Sequence, residues 1–143
     1  MTPWAIVDTG PLVAFLDRRE RHHAWAVEQM RGLHAPLLVC EPVLTEAMFL
    51  LSHFPTGRDT LLQWLERGAM EIGLHLDDYA QSVRALLAKY QDVPMSLADA
   101  CLVRMAEIHD RHAICTLDSD FTIYRKHGRT AIPLITPKAV PSD

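Results

Sequence analysis

Acidic residues set inside apolar segments constrain this chain more than any other feature. Asp8 ends the run Trp4-Ala5-Ile6-Val7, and Glu46 lies within Pro42-Val43-Leu44-Thr45-Glu46-Ala47-Met48-Phe49-Leu50-Leu51. Asp99 lies within Ser96-Leu97-Ala98-Asp99-Ala100-Cys101-Leu102-Val103, and the pair Asp118 and Asp120 follows Ala113-Ile114-Cys115-Thr116-Leu117. A carboxylate buried without a partner costs free energy or takes up a proton, so apolar segments normally avoid acids. Four such exceptions suggest one shared cation, and oxygen ligands suit a hard divalent metal. The pattern points to metal-assisted chemistry.

The remaining sequence punctuates itself into short strands and helices. Trp4 to Asp8 reads as a buried strand. A helix follows Thr9-Gly10-Pro11 to about Asp17, with proline in the first turn, where its missing N–H costs nothing. A second helix spans about His22 to Leu33, and Leu37 to Cys40 is a second strand. Glu41-Pro42 opens a helix to about His53, which Pro55-Thr56-Gly57 is expected to close. A fourth helix carries Leu61, Leu62, Trp64 and Leu65 and stops near Gly68. Ala69 to Gly73 is a short strand, and Asp77 or Asp78 is placed to cap a helix from Tyr79 to Tyr90. Ser96 caps the next, to about Asp110. His112 to Thr116 is a strand, a short helix follows Asp118, and Ala131 to Ile135 is a final strand. Pro137 and Pro141 mark a loose tail from about residue 136.

Short apolar strands alternating with helices predict an α/β layered fold with a mainly parallel sheet. In such sheets ligands gather beyond the carboxyl ends of the strands. Asp8 and Asp118 both fall on that edge. Glu46 shares a helical face with Val43, Phe49 and Leu50, and Asp99 neighbours Met95, Ser96, Leu102 and Val103. Both acids are therefore expected to point inward or to the rim of a cleft. For Asp99 alone, a helix-cap hydrogen bond is an equally good explanation.

Length and charge narrow the function. The chain has 143 residues, enough for one domain with a sizeable core. No apolar run approaches a membrane span, and no basic start leads into a leader-like apolar segment, so a cytoplasmic protein is expected. The formal charge of −4 speaks against a tight nonspecific nucleic-acid binder. With the five clustered acids set aside, 13 acids remain against 14 bases, which leaves a nucleic-acid substrate open. Cys40, Cys101 and Cys115 are too far apart for a zinc motif and read as buried reduced thiols. The eight histidines, with His22-His23 the only close pair, read as scattered surface residues.

Common acidic motifs do not fit. Asp118-Ser119-Asp120-Phe121 lacks the glycine and trailing glutamate of a calcium loop. A haloacid-dehalogenase-like phosphatase needs a second Asp where Gly10 stands. No phosphate-binding Gly-rich loop with Lys-Ser/Thr is present, and no Gly-x-Ser-x-Gly elbow.

The chain resembles a PIN domain, the nuclease fold of VapC-type toxins. The likeness rests on Val7-Asp8-Thr9-Gly10-Pro11-Leu12, on Glu46, on Pro94-Met95-Ser96-Leu97-Ala98-Asp99-Ala100 and on Thr116-Leu117-Asp118-Ser119-Asp120-Phe121, and runs from about Trp4 to Ile135. It implies a three-layer α/β/α fold with a central, mainly parallel sheet, one domain spanning residues 1–143. It also implies an endoribonuclease dependent on Mg²⁺ or Mn²⁺, with the metal held by Asp8, Glu46, Asp99 and Asp118. Asp120 matches the second aspartate of the family's Asp-x-Asp-Phe motif and joins the metal set. Thr9 and Thr116 match positions where a small hydroxyl supports the acids, a role that competes with simple turn capping. A homodimer and, for a toxin, an inhibiting antitoxin are further implications. The cut would leave a 5′-phosphate and a 3′-hydroxyl.

Two other readings stay open at this stage. One is a catalytically silent PIN-like scaffold that binds RNA or a partner, and the other a metal-dependent phosphatase or DNA nuclease. The target RNA is not legible, because Arg18, Arg19, Arg21, Arg58, Lys89, Arg104, Arg125, Lys126 and Arg129 are too dispersed to trace a path. Arg125-Lys126-His127 reads as a solvated helix end. Trp25, Phe49, Phe54, Trp64 and Leu65 exceed what a small core needs, which suggests a dimer face on the third and fourth helices, about Pro42 to Glu66.

Overall fold

The computed structural model describes residues 3–137. Its strands are β1 (Trp4–Val7), β2 (His34–Val39), β3 (Met70–Ile72), β4 (His112–Cys115), β5 (Arg125–Lys126), β6 (Thr130–Ala131) and β7 (Leu134–Ile135). The helices are α1 (Thr9–Leu16), α2 (His23–Gly32), α3 (Glu41–Leu50), α4 (Pro55–Arg67), α5 (Ala80–Lys89) and α6 (Leu97–Ile108). Five strands form one sheet in the order β3-β2-β1-β4-β7, and every neighbouring pair is parallel. Helices flank this sheet, as an all-parallel sheet requires, because both its faces must be covered.

The strand order locates the site. From central β1 the chain first builds outward through β2 and β3, then returns to the other side of β1 for β4 and β7. Such a reversal opens a crevice beyond the carboxyl ends of the strands that flank it. Asp8 stands there, and its backbone N–H donates to the carbonyl of Cys115 at 2.9 Å, binding the end of β1 to the end of β4.

Apolar burial fixes these elements in place. Ala5, Ile6 and Val7 of β1 and Ala100, Cys101, Leu102 and Val103 of α6 are fully buried. Each large aliphatic side chain among them contributes about 1.5–3 kcal/mol from leaving water. The buried residues of α6 pack against α5, α3, β4, β5 and β1, which fixes the helix whose first turn carries Asp99. The three cysteines are free and buried. Burial, with the Asp8 charge nearby, pushes the Cys115 thiol up to about 12, as suits an unreactive core thiol.

Several boundaries differ from the sequence reading. Pro55-Thr56-Gly57 opens α4 instead of closing α3, which stops at Leu50. Proline fits the first helical position for the same reason it ends a helix: it has no N–H to give. Gly57 is required there because a Cβ would lie 2.6 Å from the Phe54 ring, which folds over the new helix. Asp77 and Asp78 lie in a 3-10 turn, Leu76–Tyr79, and neither side chain caps α5. The final strand divides: Thr130–Ala131 pairs antiparallel with Arg125–Lys126, and only Leu134–Ile135 joins the main sheet beside β4. Of the expected tail, residues 138–143 lie outside the described residues.

The Arg125-Lys126-His127 run is therefore a hairpin arm and not a helix end. His127 and Gly128 both adopt positive φ, 52° and 78°, to turn it. Lys126 is buried and pairs with Asp110 at 3.2 Å. The Arg125 guanidinium caps the carbonyls of Thr122, Ile123 and Tyr124. The histidines are also less peripheral than expected, since His23 and His109 bond the carbonyls of Ala14 and Gly73 at 2.7 and 2.8 Å. His34 stacks on Trp4 with ring centroids 3.6 Å apart.

Candidate active site

Asp8, Glu46, Asp99, Asp118 and Asp120 line one cleft, together with Thr9, Gly10, Leu50, Pro94, Ser96 and Leu117. The acids come from four separate elements and meet where the sheet reverses its winding.

Asp8 is the N-cap of α1, and its Oδ1 accepts the Thr9 N–H at 2.7 Å. Its Oδ2 accepts the hydroxyl of Thr116, just past β4, at 2.8 Å. Burial pushes the Asp8 carboxyl up to about 6, against the pull of those two bonds, and the charges of Asp99 and Asp118 add to the rise. Thr9 turns its own hydroxyl to Glu46 Oε2 at 2.9 Å. Thr116 also accepts the Asp118 N–H at 2.9 Å, so one hydroxyl orders two acids. Of the two roles open in the sequence, Thr116 serves both, ordering the turn at Asp118 and bonding Asp8, whereas Thr9 bonds Glu46 and, among the described residues, caps nothing.

Asp99 likewise has two roles. Ser96 caps α6 through a reciprocal pair, its hydroxyl accepting the Asp99 N–H at 3.0 Å and its own N–H reaching Asp99 Oδ2 at 3.2 Å. The Asp99 carboxyl nevertheless lines the cleft, and burial raises its pKa. Asp118 caps a 3-10 turn, Ser119–Thr122, by accepting the Asp120 N–H at 2.9 Å. Phe121 is buried and anchors that turn in the core. Gly10 allows the start of α1 to press on Leu117, where a Cβ would lie only 3.1 Å away.

Glu46 differs from expectation in its surroundings. On the α3 face it shares, Val43 is buried but Phe49 and Leu50 are 76% and 48% exposed, so the stripe runs from core to surface and Glu46 stands at the rim. Helix position alone cannot distinguish an apolar stripe facing the core from one facing solvent. Sequence reasoning also missed Tyr124, which is fully buried and donates its hydroxyl to Asp99 Oδ2 at 3.0 Å. An aromatic three residues after Phe121, on the same side of the turn, was the available signal.

The donor set tests the metal reading. Among the described residues no lysine or arginine lines the cleft, and no ion pair involves any of its five acids. As they stand, no three acidic, histidine or cysteine side chains among the described residues are gathered closely enough to hold one ion. Bare carboxylates repel one another, and Asp8 and Glu46 are turned onto hydroxyl partners. Among the described residues, Glu46 Oε1, Asp99 Oδ1, Asp118 Oδ2 and both Asp120 oxygens accept no side-chain hydrogen bond from the protein. An all-oxygen, all-anionic set with unused lone pairs fits Mg²⁺ or Mn²⁺.

The sequence model of the PIN domain matches residues 5–126. This chain belongs to the PIN domain family. The PIN chain is 31% identical over 116 residues to Ribonuclease VapC26 of Mycobacterium tuberculosis (strain ATCC 25618 / H37Rv), a match covering 79% of this chain and 85% of that protein. Its fold is similar to the crystal structure of Mycobacterium tuberculosis VapC20, described as a sarcin-ricin loop cleaving toxin. That match has a TM-score of 0.74 and 15% identity, and covers 83% of this chain and 93% of the other. At that identity the likeness speaks for the fold alone, and the fold is the three-layer one anticipated from the sequence.

Proposed function

We propose that this PIN domain is a divalent-metal-dependent endoribonuclease and the toxin of a toxin–antitoxin pair. One observation carries the proposal: five carboxylates line one cleft, with no lysine or arginine among its described lining residues, at the crevice of a parallel sheet in a chain related to a ribonuclease. Asp8, Glu46, Asp99 and Asp118 would hold the ion, with Asp120 beside them. Bound there, Mg²⁺ or Mn²⁺ supplies positive charge against a scissile phosphate and lowers the pKa of a water for in-line attack.

The protein's own groups prepare the site. Thr116 and Thr9 hold Asp8 and Glu46 in fixed orientations through their hydroxyls. The N-terminal ends of α1 and α6, at Asp8 and Ser96, both open onto the cleft. Their partial positive charges favour ionised acids and an incoming phosphate. The proposed nucleophile is water and not the ribose 2′-hydroxyl, and the resemblance to PIN nucleases implies products with 5′-phosphate and 3′-hydroxyl ends.

The same proposal includes a homodimer and a cytoplasmic setting, in which the three thiols stay reduced. No helix among the described residues is long and apolar enough to cross a membrane. Residues 1–143 act as one domain in this reading. The experiment compares RNA, single-stranded DNA and a phosphomonoester with Mn²⁺ present. Cleavage of RNA alone supports the proposal. Cleavage of DNA or the monoester in preference to RNA favours a different nuclease or a phosphatase, and cleavage of none favours a silent scaffold.

A further inference from the structure

We propose that Tyr124 is a positioning residue for the acidic cleft, fixing the Asp99 carboxylate through Oδ2 so that Oδ1 is left for a divalent cation. The inference rests on reading the cleft as a cation-dependent nuclease site. Tyr124 is fully buried, and its ring is clamped edge-on by Tyr90 and Phe121, with centroids 5.0 and 5.1 Å away. Its backbone N–H bonds the Asp120 carbonyl at 3.3 Å, so it belongs to the segment that presents Asp118 and Asp120. Its hydroxyl reaches across to α6 and donates to Asp99 Oδ2 at 3.0 Å. One buried side chain thus ties Asp99 on α6 to the segment that carries Asp118 and Asp120.

The oxygen count makes the contact directional. A phenol has one proton to donate, and here it goes to Oδ2. The same oxygen accepts the Ser96 N–H at 3.2 Å. Among the described residues, Oδ1 receives neither a side-chain nor a backbone donor. The neighbouring Tyr90 provides the contrast. Its hydroxyl, in the same aromatic cluster, accepts the Arg125 N–H at 3.0 Å and, among the described residues, makes no hydrogen bond to an acid of the cleft. Both tyrosines stiffen the fold, but only Tyr124 reaches the site.

The test titrates Mn²⁺ alone into wild type, Tyr124→Phe, Tyr90→Phe and Asp99→Asn by calorimetry, with melting curves recorded in parallel. Removing a group that orients a metal ligand typically weakens metal affinity about 10- to 100-fold. Tyr124→Phe is expected in that range, Asp99→Asn at least as weak, and Tyr90→Phe equal to wild type whatever its melting temperature. RNA cleavage by Tyr124→Phe should need more Mn²⁺, recover at saturation and keep its KM for RNA. Wild-type affinity in Tyr124→Phe beside weakened Asp99→Asn overturns the positioning role and leaves the site standing. Equal weakening in Tyr90→Phe and Tyr124→Phe reduces the effect to packing and also overturns it. Wild-type affinity in Asp99→Asn removes the site reading itself, and the role of Tyr124 with it.

Discussion

The Thr116 hydroxyl donates to Asp8 Oδ2 at 2.8 Å, joining residues 108 apart in sequence at the ends of adjacent parallel strands. This bond lowers the pKa of a carboxyl that burial pushes up to about 6. Because the folded value exceeds the unfolded one, Asp8 contributes stability below about pH 4 and loses it as pH rises through about 6. Metal-free Asp8→Asn should therefore match wild type at about pH 4 and be more stable at about pH 8, by at most about 3 kcal/mol. Chemical denaturation in EDTA at both pH values measures this. An equal difference at both would mean that ionisation of Asp8 is not the cause.

A second carboxylate, outside the cleft, behaves in the opposite way. Asp17 ends α1 at 7% exposure, and its oxygens accept from the Arg19 backbone and guanidinium and from His53 Nε2. The Arg19 hydrogen bonds hold its pKa well below the usual carboxylate range. Its stability contribution is present above the unfolded carboxyl value and lost as pH falls through the folded one. Asp17→Asn should lower the melting temperature at neutral pH, with the deficit shrinking in acid, and leave RNA cleavage by the folded protein intact. A neutral-pH melting temperature equal to wild type would show that the bonds from Arg19 and His53 to Asp17 contribute nothing.

Asp8 was legible because a charged residue at the end of an apolar strand has few structural uses. Ser96 and Asp99 were legible as a helix start, and the structure adds that the same Asp99 faces the cleft. Glu46 lines the cleft at its rim, one of the two positions its helical face allowed, and the choice between them was not legible because burial of Phe49 and Leu50 depends on what packs against α3. The role of Pro55-Thr56-Gly57 was reversed because proline signals a helix start and a helix stop equally. Tyr124 stayed hidden because its link to Asp99 spans 25 residues and depends on how the turn after Asp118 folds back.

The exposed apolar residues bear on assembly. Trp25, Phe54, Trp64 and Leu65 pack partly against the core, whereas Phe49, Leu50 and Leu62 on α3 and α4 are 76%, 48% and 49% exposed. These three are the surface on which a two-fold dimer should close. Light scattering should give twice the 16.2 kDa chain mass for wild type and the single mass for Phe49→Glu. A wild-type monomer throughout the micromolar range would make the patch an ordinary surface.

Whether the acids hold a catalytic ion is decided by Mn²⁺-dependent cleavage of RNA by wild type, Asp8→Asn, Asp99→Asn and, as a control, Glu28→Gln on the exposed side of α2. Removing one charge from the site should cut turnover on the order of 100-fold while the melting curve survives. Glu28→Gln should match wild type, and EDTA should abolish cleavage in both. Wild-type turnover in either site variant, or cleavage that persists in EDTA, would contradict the account and make these acids structural.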